Sequence, residues 1–419
     1  MQVVGKEGVA TATGASPSLL AAQGLSQLRP KHTAAPVAIP RFALFQKGFR
    51  PFFLLASLHG AVVVLLWVLA LRGVWAPGGE GGPQLWHAHE MVFGFASAVI
   101  AGFLLTAVGN WTGRETATGP LLAALAALWL LGRIVTAFER HLPALATAVD
   151  LAFLPALALV LARPLLAAKN RRNFVMLAVL ASLWGAELWT HFGGSLRGGT
   201  RAGALLAVDV VVVLLVIISG RVIPMFTRNA TRDEAVRNLP VLDALSILAV
   251  VLVFAADAAG VSDERTRVVA AVAAALLVAR SRSWGLLRAA KAPLLWILHV
   301  GHGFIPVGLA LRAAGGSVPP SVGTHALTVG AIGCLTLGMM ARVALGHTGR
   351  LLEPSRTVVL AFVLMLGAAL ARTLGVLVAP AHHGTWIAAA GLLWALAFGL
   401  YFVAYLPVCA NARVDGKAG

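Results

Sequence analysis

Twelve histidines are the chemically loaded residues of this 419-residue chain, and most of them sit inside apolar stretches of helix length. A polar side chain in such a stretch is costly to bury and needs a task there. Neutral imidazole is the commonest metal ligand. His87 and His89 open one apolar segment, His325 opens another, and His59, His299 and His302 lie deep in two more. That pattern points to a metal site enclosed by helices. Cys334 and Cys409 both fall in apolar segments and form neither a disulfide framework nor a CxxC pattern.

The elements that must position these imidazoles are membrane helices. The chain is 59% hydrophobic and 12% charged, against about 25% charged in ordinary soluble domains. A spanning helix takes about 20 mostly apolar residues. Segments of that kind fall near 51–72, 86–110, 119–138, 142–163, 173–193, 203–226, 240–259, 266–281, 293–313, 321–346, 357–379 and 385–409. The expected architecture is an all-α polytopic membrane protein with a membrane domain over 46–412. Residues 1–45 read as a disordered cytoplasmic tail without the apolar core of a cleaved signal.

Net charge is +17, which on its own would suggest nucleic acid. The distribution excludes that reading. Cations gather before the first segment (Lys47, Arg50) and then in every second loop, as at Lys169, Arg171 and Arg172, and at Arg282, Arg288 and Lys291. The intervening loops are poor in them. Such alternation is the positive-inside pattern, and it places both termini in the cytoplasm.

Two segments repeat without a gap. His89–Arg114 reads HEMVFGFASAVIAGFLLTAVGNWTGR and His325–Arg350 reads HALTVGAIGCLTLGMMARVALGHTGR. Histidine, Gly94/Gly330, Gly102/Gly338 and the closing TGR keep one spacing. Ser219–Val222 in the sixth segment is a fainter echo. Three parallel four-helix units, near 48–163, 171–288 and 290–410, account for this. They imply a pseudo-symmetry axis along the membrane normal.

On that arrangement His89 and His325 can face each other, as the two axial imidazoles of a six-coordinate haem b require. The alternative is a pair of interfacial histidines touching water and headgroups. His87 lies two residues from His89 and so points elsewhere. Glu90 could orient an imidazole or relay protons. His299 and His302 share a helix face, and His59 lies at a similar depth; this trio suits copper, or else each is a buried, hydrogen-bonded histidine. Glu187 and His191 pair at i,i+4, as a proton route or as part of an interfacial belt. Arg133 and Asp150 read as a structural ion pair across adjacent helices.

The stretches FRPFFLLASLHG (49–60), WHAHEMVFGFASAVIAGFLLTAVGNW (86–111), SGRVIPMFTRNA (219–230) and HALTVGAIGCLTLGMMARVALGHTGR (325–350) resemble the NnrS family over about 45–410. The resemblance implies a bacterial inner-membrane protein that carries haem and copper in the response to nitric oxide. At the level of fold the chain is also similar to heme-copper oxidases and their nitric oxide reductase relatives, with twelve helices in three arcs. It departs from them in having one histidine in the tenth helix and none in the sixth.

The expected function is to bind or reduce NO at a histidine-ligated centre, with lipid and NO as partners and Glu90 or Glu187 delivering protons. A permease for copper, haem or a small solute is the alternative. A sensor or scaffold is disfavoured because the loops hold no soluble domain.

Overall fold

The computed structural model describes residues 42–75, 81–196, 198–261 and 264–417. Most of the tail expected over 1–45 lies outside them. The described residues form twelve long helices. These are α1 (Phe49–Leu71), α2 (Gly82–Thr112), α3 (Gly119–Ala137), α4 (Pro143–Ala167), α5 (Val175–Phe192), α6 (Gly199–Thr231), α7 (Pro240–Ala258), α8 (Glu264–Ser281), α9 (Pro293–Ala313), α10 (Pro320–His347), α11 (Arg356–Val378) and α12 (His383–Ala410). Proline opens several of them, where its missing N–H costs nothing and its φ is already helical. Gly113, at φ +65°, ends α2 in the left-handed region that a Cβ disfavours.

Eleven of these segments are long and apolar enough to cross a membrane, which makes the chain a multi-pass membrane protein. α8 is the one left out. Over eighteen residues it carries Glu264, Arg265, Arg267 and Arg280, more charge than an apolar span tolerates. It still packs between α7 and α9. Outward faces are aliphatic and exposed, as at Ile134, Leu159 and Leu248; lipid tails suit such a surface.

α2, α6 and α10 touch one another at the centre, and the remaining helices wrap them. Their burial follows: most of α2 and α10 is enclosed, while α4 and α7 are mainly outward-facing. Small residues allow this close approach. A Cβ on Gly102 would lie 2.8 Å from the Phe53 ring, and one on Gly338 would lie 2.7 Å from Ile297.

Two inner helices depart from α geometry at the same repeat position. His89 is followed by a π segment, Glu90–Ala96, and His325 by another, Ala326–Gly333. A third lies at Ala371–Gly375 in α11. A π turn holds one extra residue, leaves carbonyls needing new donors, and is frequent at functional sites. Ser97 Oγ donates to the Gly94 carbonyl at 3.1 Å and also to that of Phe93, and Trp129 Nε1 donates to Gly94 at 3.1 Å. In α10, Thr336 Oγ1 does the same for Ile332 at 2.7 Å.

Candidate metal centre

The π turn of α2 places Glu90 inward, where side chains of α1 and α3 converge on it. From α1, His59 Nε2 reaches Glu90 Oε2 at 3.1 Å. From α3, Arg133 Nη1 donates to Glu90 Oε1 at 3.0 Å, and Thr136 Oγ1 donates to the same oxygen at 3.3 Å. His89 Nδ1 lies 3.3 Å from it. Gly94 makes the space: a Cβ there would stand 2.4 Å from His59 Nε2 and 3.1 Å from Glu90 Oε2.

One layer away, Asp150 of α4 bridges the second half of the site. Its Oδ1 accepts from Arg133 Nη2 in a close ion pair. Its Oδ2 lies 2.9 Å from His191 Nε2 on α5 and 2.8 Å from His89 Nε2. One ligand atom each from His89, Asp150 and His191 falls within 4.8 Å of the others, the arrangement a small cation takes. Glu187, one turn before His191, is buried, and its Oε2 has no hydrogen-bond partner.

Two features make this more than an ion-pair network. His89 holds Glu90 Oε1 at 3.3 Å through Nδ1, so its Nε2 is turned toward Asp150. That nitrogen has no hydrogen bond, yet it stands 2.8 Å from a carboxylate oxygen. A contact this short needs a positive charge between its partners, which either a proton on Nε2 or a bound cation supplies. The second feature is charge. Three carboxyl groups (Glu90, Asp150, Glu187) face one guanidinium, Arg133. With all three carboxyls ionised and the histidines neutral the excess is two negative charges, which a divalent ion, or protons on the histidines and Glu187, would balance. Buried charge requires such matching.

The structure distributes the other candidates elsewhere. His87, two residues before His89, turns to α1 and stacks on Trp67, with centroids 4.6 Å apart and planes at 14°. His325 donates from Nδ1 to the Ser321 carbonyl at 2.6 Å. It lies in electrostatic reach of Arg372, His87 and His383. The two histidines matched by the repeat therefore sit in different clusters.

The expected copper trio is also divided. His59 belongs to the Glu90 cluster. His299 Nε2 meets Thr227 Oγ1 at 3.0 Å, and His302 Nδ1 meets Ser219 Oγ at 3.2 Å, both on α6. Among the described residues, His89, Asp150 and His191 form the group that converges as a metal site would, whereas His59, His299 and His302 do not. Sequence reading had Arg133 with Asp150 as a pair and Glu187 with His191 as another. It did not join them. Asp150 in an apolar run was the available signal.

A bundle of membrane helices enclosing histidines and carboxylates at a cation-sized gap defines a polytopic membrane protein with a candidate metal centre. No curated protein matches the chain. A family model described as NnrS protein matches residues 43–413, nearly the whole length, and the chain belongs to the NnrS family.

Proposed function

We propose that this is an inner-membrane metalloprotein of the nitric oxide response, binding NO at a metal held by His89, Asp150 and His191. The convergence of these three ligands beside an uncompensated acidic cluster carries the reading. Two imidazole nitrogens and a carboxylate suit copper(II) or another borderline divalent ion. They do not suit haem: Asp150 Oδ2, 2.8 Å from His89 Nε2, stands where a porphyrin iron would have to be. His325, whose Nδ1 bond to Ser321 leaves the lone pair on Nε2, would be the residue to hold a haem b, which would supply a redox-active iron.

A bound metal would supply an open coordination position for NO. The chain's own groups do the rest. Glu90 and Arg133 fix the tautomer and orientation of His89. Glu187, with a free carboxyl oxygen, can carry protons to the site. Reduction of two NO to nitrous oxide and water consumes two protons and two electrons, so such a carrier is required for turnover.

Twelve crossings with both ends on one side are supported by parity, and the alternation of cations supports the cytoplasm as that side. Phe42 pairs with Asn411 in a β-bridge, and Arg50 Nη1 donates to the Cys409 carbonyl at 2.8 Å, so the chain returns to the side it left. An even number of crossings brings it back, which supports a crossing by α8 in spite of its charges. Three four-helix arcs of the heme-copper oxidase kind are supported by the central contact of α2, α6 and α10.

The test is metal content and EPR of detergent-purified protein from copper- and iron-replete cells, with and without NO, beside His191→Ala. One ion per chain in the wild type, lost in the variant, with an NO-sensitive signal, is expected. Equal metal content in both proteins sinks the reading. A permease is the second reading. It is supported by a cavity of about 760 Å³ lined in part by Asp209, Asp257 and Arg312, and metal flux into vesicles would favour it.

A further inference from the structure

The outer end of the bundle holds a second cluster whose one cation, Arg372, lacks an anion among the described residues. Arg372 sits in the π segment of α11 and is 8% exposed. Its Nη1 is buried without a hydrogen-bond partner, and no carboxylate pairs with it among the described residues. His87 Nδ1 and Trp386 Nε1 are buried and unpartnered as well. Trp386 of α12 lies against the same π segment: a Cβ on Gly375 would meet its ring at 2.6 Å. The start of α10, which carries His325, packs on that segment, and both His325 and His87 feel the Arg372 charge.

The unmet groups are a guanidinium N–H, an indole N–H and an imidazole nitrogen. None is acidic. A guanidinium enclosed by membrane helices needs countercharge or a route to the surface. Snorkelling does not serve Arg372, because protein rather than headgroups surrounds it. Water can satisfy hydrogen bonds but supplies no charge. A planar oxyanion meets all three needs, since its paired oxygens match the guanidinium fork and its outer edge accepts from the flanking donors.

We propose that the junction of α2, α10, α11 and α12 binds a carboxylate-class monoanion, with Arg372 as charge partner and Trp386 and His87 as flanking groups. The anion is either a free small acid or the acid arm of a larger bound molecule. The site stands apart from the metal at His89, Asp150 and His191, and either can fail without the other.

The test uses the full-length protein in detergent, titrated with carbon-13 formate and followed by NMR line width, together with acid extraction and mass spectrometry. Arg372→Gln and Arg372→Lys are compared with the wild type; elution volume and metal content report that the rest of the fold is intact. Saturable formate binding, weakened about tenfold or more in Arg372→Gln and partly kept in Arg372→Lys, supports a free anion. A stoichiometric carboxylic acid extracted from the wild type but not from Arg372→Gln supports the larger molecule. If Arg372→Gln does not fold, Trp386→Phe removes one donor and keeps the ring, and weaker formate binding or loss of the extracted acid is again expected. Neither formate binding nor an extracted acid in the wild type overturns the proposal. So does equal binding in a folded Arg372→Gln, or recovery of phospholipid alone.

Discussion

His87 and His89 stand two residues apart on α2 and enter surroundings of opposite sign. His89 meets Glu90 and Asp150, within a cluster where carboxyl groups outnumber the one arginine. His87 stacks on Trp67 and lies in electrostatic reach of Arg372, which has no acid beside it among the described residues. One helix thus serves an acidic site on its α3–α5 side and a basic site on its α10–α12 side. Side chains two apart point to different faces of a helix, so a short HxH run can supply two sites of different chemistry. The acidic cluster has the charge to hold a cation; the basic cluster calls for an anion. Histidine is neutral enough to serve in both.

The largest effect that would break this contrast is on the acidic side. Asp150→Ala leaves His191 without its carboxylate and Arg133 with Glu90 alone, and loss of one partner of a buried pair costs about 3–5 kcal/mol. Thermal unfolding in detergent should fall sharply, and bound metal should disappear. Unchanged stability would mean that Arg133 finds water or lipid instead.

A smaller loss is expected from Gly94→Ala. The new methyl meets His59 Nε2 at 2.4 Å, and overpacking of this kind costs roughly 1–3 kcal/mol. His59 should swing away from Glu90, weakening metal binding while leaving anion binding alone. The two sites are separated directly by His191→Ala and His87→Ala. The first should lower metal affinity by about tenfold or more with little loss of stability, and the second should leave metal content at the wild-type level. Parallel losses in metal analysis would show one joined site.

The smallest effect lies outside both. Arg413 donates to Asp415 at 2.6 Å and to the His347 carbonyl at 2.7 Å, tying the C-terminal segment to the end of α10. The Arg413 hydrogen bond holds the Asp415 carboxyl down at about 2. A carboxyl held low in the folded state stabilises above its free value of about 4 and loses that contribution as pH falls toward 2. Proteolysis of the C-terminal segment should rise over that window, and Asp415→Asn should flatten the rise.

Much of this was legible in the chain. The apolar segments and the 89/325 repeat follow from composition and spacing, and the same Gly-rich spacing carries the two π segments. Glu90 and Glu187 were visible as ionisable groups in apolar surroundings. Segment eight was the weakest as a span because Arg265, Arg267 and Arg280 dilute it. The partners were not legible. The repeat suggested that His89 and His325 face each other, and their shared π segments show how closely the local structure copies. Their neighbours differ because α3–α5 present Arg133, Asp150 and His191 to one, whereas α11 presents Arg372 to the other.

Sequence by itself determined that this chain lies in a membrane, how often it turns apolar and which residues are too polar to be there without a task, because those properties are local sums over 20 or so side chains. Which polar groups meet was decided only in three dimensions. Asp150 touches His89 across 61 positions of chain and His191 across 41, and no periodicity within one helix reports the rotation and depth of its neighbours. Those follow from small residues such as Gly94 and Gly102 setting how closely helices approach, and from a π turn that rotates everything after it by about 100°.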